Sequence, residues 1–242
     1  MILLKPSFKI ETPIDGDNAV RMLKLIESAA RTCYKSGCKI SDDSYKTFVR
    51  KIVHVHKHES VIEHSSATVR FIVDRGISHE LVRHRLAAFS QESTRYVDYS
   101  DDIKADGHCQ FIIPLWCEDS SLTPGLCQYD NKRGGLNWLD GGTRTLSALS
   151  YTNSVWLKAM QDAEDSYKEL RSLGWAPQQA RAVLPNSTKT EVVTTANFRE
   201  WRHIFKMRTS NHAHPQIREV MVPLLAEFKK HLPELFDDIK DS

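Results

Sequence analysis

Two stretches with the alternating pattern of a β-strand are embedded among longer helical patterns, and this irregular order limits what the chain can fold into. Residues 67–73 alternate apolar with other side chains, and residues 188–196 (TKTEVVTTA) are rich in β-branched residues. Helical spacing is clearest over 17–34, 152–173 and 217–228. Because strands and helices do not alternate in regular βαβ units, the sequence predicts an α+β, or irregular α/β, fold.

Length and composition fit a globular protein. The 242 residues suit a single domain, 1–242, with a glycine-rich, polar insertion or lid predicted at 101–145. No apolar run approaches the roughly 18 residues that a membrane helix needs, and only four apolar residues precede Lys5, too few for a signal peptide. Five cysteines without CxxC spacing indicate a reducing compartment. We therefore predict a cytoplasmic protein that does not associate with membranes.

Basic residues are concentrated in residues 83–96 (RHRLAAFSQESTRY). The formal net charge of +2 is too small to indicate nucleic-acid binding, so these residues must act locally. Arg83, His84 and Arg85 lie at the end of a short helix predicted over 77–84. Successive side chains on a helix point about 100° apart, so these three can contact different parts of one large anion.

The second half of this stretch has the composition of a phosphate site. Ser93 and Arg95 are predicted to alternate with Thr94 in extended chain, which would direct both side chains to one side. The alternative is a surface salt-bridge network with Glu80 and Glu92.

The helix predicted over 197–209 places an arginine on its apolar face. Asn197 is expected to cap this helix, and Glu200 three residues later would complete a capping box. Arg208 then needs a carboxylate or an anionic ligand, unless its side chain extends to solvent. Arg181 raises the same question on the short helix predicted after Pro177, where a surface arginine is the simpler interpretation.

Histidines are concentrated in residues 54–64 (HVHKHESVIEH), but their spacing is not that of a zinc site. His58 and His64 are six residues apart, whereas HExxH needs four, so we predict no metal and interpret His58 as a polar group at a cleft. The sequence has no GxSxG, GxGxxG or P-loop motif and no cysteine in a recognisable activating motif. The chemistry is therefore expected to come from a cofactor.

Taken together, these motifs resemble the flavin-dependent thymidylate synthases. The similarity covers about two-thirds of the chain. It rests on Arg-His-Arg followed after seven residues by Ser (Arg83, His84, Arg85, Ser93), on Arg95 and Tyr96, on His58, Ser60, Glu63 and His64, on SHELVRHR and ARAVLPN, and on the run from Thr195 through NFREWRHIFKMR to His212.

This resemblance implies an activity and an assembly. Members of the family are methyltransferases that convert dUMP, methylenetetrahydrofolate and NADPH into dTMP, tetrahydrofolate and NADP⁺, with FAD carrying the hydride and without a cysteine nucleophile. It also implies a mixed central β-sheet flanked by helices, and a homotetramer whose active sites lie between subunits.

The resemblance also assigns residues. FAD binding would fall to Ser60, Arg83, His84, Arg85, Gln91, Asn197, Arg199 and His203. Binding of dUMP would fall to Glu80, Arg83, Gln91, Glu92, Ser93, Arg95, Arg181 and Arg208, with Arg95 and Arg181 at the phosphate. Arg208, facing the uracil ring, and His58 are the predicted catalytic residues. Gln91 and His203 depart from the Glu and Asn that some members carry.

Two other functions are possible for this sequence. A metal-dependent hydrolase would use the histidines of residues 54–64, and a nucleic-acid-binding module would use the arginines of residues 83–96. Neither alternative accounts for Arg181, Asn197 and Arg208 together.

Overall fold

A computed structural model describes residues 1–101, 106–117, 122–130, 135–139 and 149–240. The strands are β1 (Ile2–Leu4), β2 (Ser7–Ile10), β3 (Ser66–Asp74), β4 (Ala88–Gln91), β5 (Gln110–Ile112), β6 (Gly125–Asp130), β7 (Gly135–Trp138) and β8 (Lys189–Asn197). The α-helices are α1 (Gly16–Thr32), α2 (Ser44–Arg50), α3 (Arg75–Leu81), α4 (Tyr151–Ser172), α5 (Pro177–Ala180), α6 (Phe198–Arg208), α7 (Pro215–His231) and α8 (Pro233–Phe236). Single turns of 3₁₀-helix lie at Gly37–Lys39 and Arg181–Val183, a longer one at Glu59–His64, and a π-helical turn at Lys51–Val55.

The periodic segments of the sequence form the predicted elements. Both predicted strands are present as β3 and β8, and the long helical patterns are α1, α4 and α7. Gly174 follows the end of α4 and has a positive φ of 92°. Glycine adopts this conformation without a steric penalty. Hydrophobic periodicity therefore predicts these elements to within a few residues.

The strands form two four-stranded sheets, with the orders β5-β1-β6-β7 and β2-β3-β8-β4. In the first sheet β1 is parallel to β5 and antiparallel to β6. The predicted α+β class is confirmed. Residues 102–105, 118–121, 131–134 and 140–145 of the predicted insertion lie outside the described residues, whereas its described parts contain β5, β6 and β7.

The chain divides into two compact units, and strands β3 and β8 contribute residues to both. Unit 1 comprises Met1–Ser7, Ile72–His79 and Gln91–Val192, and unit 2 comprises Phe8–Phe71, Glu80–Ser90 and Val193–Ser242. The single domain with an insertion at 101–145 stays a prediction. None of the helices in the described ranges has the length and apolar character needed to cross a membrane.

Unit 1 has a core in which helix α4 packs against the first sheet. Leu3 of β1, Phe111 of β5 and Leu157 of α4 are fully buried in one cluster with Tyr99 and Tyr167. The rings of these two tyrosines meet edge to face, with centroids 5.8 Å apart. This packing fixes the residues just after 93–96, because Tyr99 follows them in the chain.

Unit 2 has an aromatic core beneath helix α6. Trp201 and Phe205 stack with ring centroids 5.5 Å apart, and Phe228 of α7 contacts both. The indole N–H of Trp201 donates to the carbonyl of Ala67 in β3 at 3.0 Å. One face of α6 is therefore held in the core, and residues on the opposite face are presented outward.

Arg202 is a buried cation in this unit. Its side chain is fully buried and forms ion pairs with Asp238 at 2.7 Å and with Glu59 at 3.0 Å, and it also donates to the carbonyl of Leu235. These contacts raise the pKa of the guanidinium against the opposing effect of burial. Arg202 thus joins α6 to the chain after α8 and to the 3₁₀-helix at Glu59–His64.

Replacing Arg202 by alanine is expected to destabilise the protein by about 3–5 kcal/mol, because it leaves two carboxylates without their buried partner. Urea unfolding followed by circular dichroism measures the change. The control is Arg50→Ala, since Arg50 pairs with Asp237 in a half-exposed position and such pairs contribute about 0–1 kcal/mol. Equal effects of the two substitutions would contradict this account.

Candidate functional site

Unit 2 contains a cavity of about 760 Å³ with a mainly basic lining. Its volume is in the usual range for small-molecule and cofactor sites. It is lined by Glu59, Glu63, Arg83, His84, Arg85, Leu86, Asn197, Arg199, Glu200, His203, Lys206, Met207 and Arg208.

The predicted cofactor residues are mostly found at this cavity. Arg83, His84, Arg85, Asn197, Arg199 and His203 line it, whereas Ser60 and Gln91 do not. The predicted catalytic residue His58 is also absent from the lining; it is exposed, and its ring lies 5.8 Å from that of His56. The roles of Ser60, Gln91 and His58 stay predictions.

The Arg-His-Arg motif forms a turn directly after helix α3. The helix ends at Leu81, and the backbone N–H of Ala87 donates to the carbonyl of His84 at 3.1 Å, which reverses the chain. His84 is buried, whereas Arg83 and Arg85 are exposed and have no ion-pair partner among the described residues. The turn therefore leaves two guanidinium groups available to an anion at the cavity.

Helix α6 brings the second motif to the cavity. Asn197 caps it, as predicted, by accepting a hydrogen bond from the backbone N–H of Glu200 at 2.9 Å. The reciprocal half of the predicted capping box is not formed: the Glu200 carboxyl lies 3.5 Å from Nδ1 of His84 instead. His203, one turn further along, places its ring edge-on to His84 with centroids 5.8 Å apart.

Arg208 pairs with a carboxylate, as its place on the apolar face of the helix requires. Its Nη1 pairs with Oε2 of Glu80 at 2.6 Å, its Nη2 donates to the backbone carbonyl of Glu80 at 3.0 Å, and its Nε donates to Nε2 of His84 at 3.0 Å. Arg208 is thus held at all three nitrogens, with 15% of its side chain exposed. Glu80, which the sequence marked as a possible surface partner of the basic cluster, pairs with Arg208.

His84 is neutral at physiological pH. Burial, and after it the positive charge of Arg208, lowers its pKa to about 4. Since a guanidinium only donates, Nε2 of His84 must accept, and the proton of the neutral ring is on Nδ1.

One group of side chains could in principle bind a metal. Ligand atoms of His84, Glu200 and His203 lie within 4.8 Å of one another, and this is the group found among the described residues. The positive surroundings that depress the pKa of His84 also oppose a divalent cation. The histidines of residues 54–64 do not converge in the described structure; His54 lies 3.4 Å from Asp238, and His64 is exposed.

Unit 1 holds the other predicted substrate residues. The prediction of extended chain at Ser93–Thr94–Arg95 is wrong, because the carbonyl of Ser93 accepts hydrogen bonds from Tyr96 and Val97 and closes a turn. The hydroxyl of Ser93 nevertheless accepts from the backbone N–H of Arg95 at 3.3 Å, so the two residues remain adjacent.

Arg181 is tied to the same turn. Nη1 of Arg181 donates to the hydroxyl of Thr94 at 3.0 Å. Arg181 is otherwise exposed. No other hydrogen bond or ion pair of its guanidinium occurs within the described ranges, so most of its donors are open to a ligand. Arg95, which follows Thr94 in the sequence, is exposed. Its guanidinium lies over the ring of Tyr96, 5.5 Å from the ring centroid.

Glu92 and Gln91 are anchored from within unit 1. Glu92 accepts from the Tyr99 hydroxyl at 2.8 Å and pairs with Lys189 at 2.7 Å. The side-chain amide of Gln91 bonds to the hydroxyls of Ser78 and Thr190. Tyr99 and Lys189 were not predicted as site residues. Lys189 is 97 positions from Glu92, so no local pattern identifies it, and Tyr99, seven positions from Glu92, belongs to no helical or strand spacing that would mark the contact.

Sequence reasoning missed part of the cavity wall. The additional lining residues are Glu59, Glu63, Leu86, Glu200, Lys206 and Met207. Of these, Glu59, Glu63 and Leu86 lie in the stretches 54–64 and 83–96, and Glu200, Lys206 and Met207 lie in the run NFREWRHIFKMR, but none was assigned to cofactor or substrate. Glu63 pairs with Arg199 at 2.5 Å.

Comparisons with known proteins show which proteins this chain resembles. Residues 18–234 match the family described as thymidylate synthase complementing protein. The chain is 33% identical over 238 residues to the flavin-dependent thymidylate synthase of Mycolicibacterium gilvum, covering 97% of this chain and 84% of that protein. It is 36% identical over 221 residues to the corresponding protein of Corynebacterium efficiens, covering 89% and 79%.

Solved structures share the fold at low sequence identity. One is the Helicobacter pylori thymidylate synthase X with FAD and dUMP, with a TM-score of 0.65, 20% identity, and coverage of 97% of this chain and 98% of that one. Another is the UMP/dUMP methylase PolB of Streptomyces cacaoi bound with 5-Br dUMP, with a TM-score of 0.68, 21% identity, and coverage of 98% and 96%.

The depressed pKa of His84 predicts a pH-dependent loss of stability. Between the ordinary value of 6.5 and about 4, the unfolded chain binds the proton that folded His84 refuses. Stability is therefore lost as pH falls through this window, by on the order of 2–3 kcal/mol from this group. Urea unfolding at pH 7, 5.5 and 4.5 should show a shallower loss for His84→Gln, which keeps an acceptor for Arg208 but cannot titrate.

The control is His64→Gln, which removes an exposed histidine. Its pH dependence should match that of the unmodified protein. Parallel profiles for His84→Gln and the unmodified protein would show that His84 does not titrate as described.

Proposed function

Because this chain belongs to the flavin-dependent thymidylate synthase family, we propose that it converts dUMP into dTMP. In this proposal methylenetetrahydrofolate donates the carbon, and NADPH supplies the hydride through FAD. The observation that supports it most directly is the basic cavity of unit 2, in which two motifs far apart in sequence, Arg83–His84–Arg85 and the start of helix α6, line one space.

The residues at this cavity fit a flavin dinucleotide. FAD carries two phosphates, and Arg83 and Arg85 are exposed guanidinium groups without an ion-pair partner in the described parts of the chain. The first turn of α6 adds the positive end of the helix dipole, while the backbone N–H groups of Phe198 and Glu200 already donate to Ser65 and Asn197. Among the predicted FAD residues, Asn197 is engaged as the helix cap and Arg199 pairs with Glu63, so we assign them to shaping the cavity wall.

The proposed roles of His84 and Arg208 follow from their hydrogen bonds. FAD, when bound, supplies the electron transfer that the side chains of this protein cannot. His84, neutral and with its proton on Nδ1, can neither add a charge to the cavity nor compete with Arg208 for an anion. Arg208, held by Glu80 and His84, would present a fixed positive charge to the uracil ring, where it stabilises negative charge at N3 and O4.

The turn of unit 1 is the proposed phosphate site for dUMP. Ser93 supplies a hydroxyl, and Arg95 and Arg181 are exposed. A guanidinium can bind two phosphate oxygens at once, and the contact with Thr94 orients Arg181 for this. Gln91 and Glu92, anchored as described above, are also proposed to bind dUMP. The family resemblance implies the same role for Glu80, Arg83 and Arg208.

No cysteine is proposed as a nucleophile. All five cysteines lie within the described ranges, and none lines the cavity. Burial raises the pKa of the Cys109 thiol to about 12 and also raises that of Cys117, so neither forms the reactive thiolate at neutral pH.

The proposal includes the assembly that the resemblance implies. We infer a homotetramer with active sites between subunits, in the cytoplasm and with no role for nucleic acid. The exposure of Arg83, Arg85 and Leu86 at the cavity supports active sites between subunits, since these side chains are available to a partner subunit. Leu86 is 79% exposed.

The first test is the visible absorbance of the purified protein, followed by anaerobic NADPH with and without dUMP. We expect a flavin spectrum, or its appearance on adding FAD, and bleaching by NADPH that is faster with dUMP. Formation of dTMP with methylenetetrahydrofolate completes the test. A protein that takes up no FAD and forms no dTMP would refute the proposal.

Arg181→Ala is expected to raise KM for dUMP by about 10- to 100-fold with a smaller change in kcat, because a charge-assisted phosphate contact acts on substrate binding. Steady-state kinetics with varied dUMP measures it. The matched control is Arg21→Ala, an exposed arginine of α1, which should leave KM unchanged. An unchanged KM in Arg181→Ala would remove Arg181 from the phosphate site.

A further inference from the structure

Glu200 is a buried acid in the wall of the basic cavity, and neither the capping-box prediction nor the resemblance gave it a role there. It is 5% exposed and lines the cavity as the third residue of helix α6. Its carboxyl accepts no hydrogen bond from any described side chain, and its Oε1 lies 3.5 Å from Nδ1 of His84. A capping role therefore does not account for it.

The charge of Glu200 is placed against a specific hydrogen. Arg208 donates from Nε to Nε2 of His84 at 3.0 Å, which leaves the ring proton on Nδ1. Oε1 of Glu200 is 3.5 Å from this nitrogen, longer than a normal hydrogen bond but close enough for an electrostatic contact. The four side chains thus form one series, in which Glu200 faces His84, His84 accepts from Arg208, and Arg208 pairs with Glu80.

Burying the Glu200 carboxyl at this position costs folding free energy, which suggests that it has a function in the cavity. Burial without a full set of hydrogen bonds disfavours a carboxylate, and this burial raises the pKa of Glu200. The N-terminal turn of α6 offsets part of the cost. An apolar side chain would pack there without this cost, so the acid is expected to have a function in orienting its neighbour.

We propose that Glu200 is a positioning residue of the flavin site, which orients His84 through Nδ1 and, through His84, holds Nε of Arg208. The inference rests on the proposed function, because it assigns the purpose of the series to the placement of Arg208. With Glu80 at one end and His84 at the other, the guanidinium loses its rotational freedom before substrate arrives. Glu200 itself need not touch the substrate.

The test compares Glu200→Ala with Glu200→Gln. Alanine removes the carboxylate that lies 3.5 Å from Nδ1, whereas glutamine keeps a carbonyl oxygen at the same position. We expect Glu200→Ala to lower kcat on the order of 10-fold with little change in KM for dUMP, and Glu200→Gln to restore most of the loss. Because glutamine also restores the volume of the side chain, the control is Glu200→Met, which fills a similar space without a carbonyl oxygen. A role in packing alone would make the Met and Gln variants equal in kcat.

A second measurement does not depend on flavin or activity. Thermal unfolding of the apoprotein is compared for Glu200→Ala, His84→Ala and the double variant. We expect the shifts in Tm to be non-additive, because Glu200 acts through His84. The control Glu227→Ala changes an exposed acid on α7 that pairs with Lys230, and it should be additive with His84→Ala.

The outcomes separate this inference from the proposed function. Unmodified protein that neither binds FAD nor forms dTMP would refute the function, while the apoprotein cycle would still report whether Glu200 and His84 are coupled. Additive shifts in Tm, or Glu200→Ala with the kcat of the unmodified enzyme, would overturn the role of Glu200. Equal losses in the Ala and Gln variants would overturn it as well.

Discussion

The pairing of Arg208 is the interaction on which the basic cavity depends. A guanidinium that is mostly withdrawn from water must be compensated, and here Glu80 supplies both a carboxylate and a backbone carbonyl. The third nitrogen of the group is satisfied by His84, which for this reason is a neutral acceptor. One buried charge therefore determines the orientation of its carboxylate and the protonation and tautomer of its histidine.

The same requirement explains how charge is distributed around the cavity. Arg199 is paired with Glu63 and Lys206 with Glu59, so these cations stabilise the wall. Arg83 and Arg85 have no such partner in the described residues, and they are the groups left for an anion. A cluster of like charges in the sequence thus contains two kinds of residue, and only their partners, which are distant in sequence, distinguish them.

Comparison of the sequence with the structure shows where local patterns are sufficient. The cap at Asn197 was predicted correctly because a cap depends on residues three positions apart. The extended chain at Ser93 was not, because the alternation of polar side chains carries no information on which carbonyl closes a turn. Glu200 satisfied the pattern of a capping box, yet its carboxyl lies 3.5 Å from Nδ1 of a histidine 116 positions earlier, because a local pattern does not record which groups folding brings together.

The sequence by itself determined the periodic elements, the α+β class and the family. These depend on spacing within short segments, and on motifs whose order along the chain is directly readable. Only the tertiary structure decided that Glu80 pairs with Arg208, that Lys189 and Tyr99 hold Glu92, and that Glu200 faces His84. The physical reason is that a buried polar group takes the partner that folding brings within about 3 Å, and separation along the chain does not limit that choice.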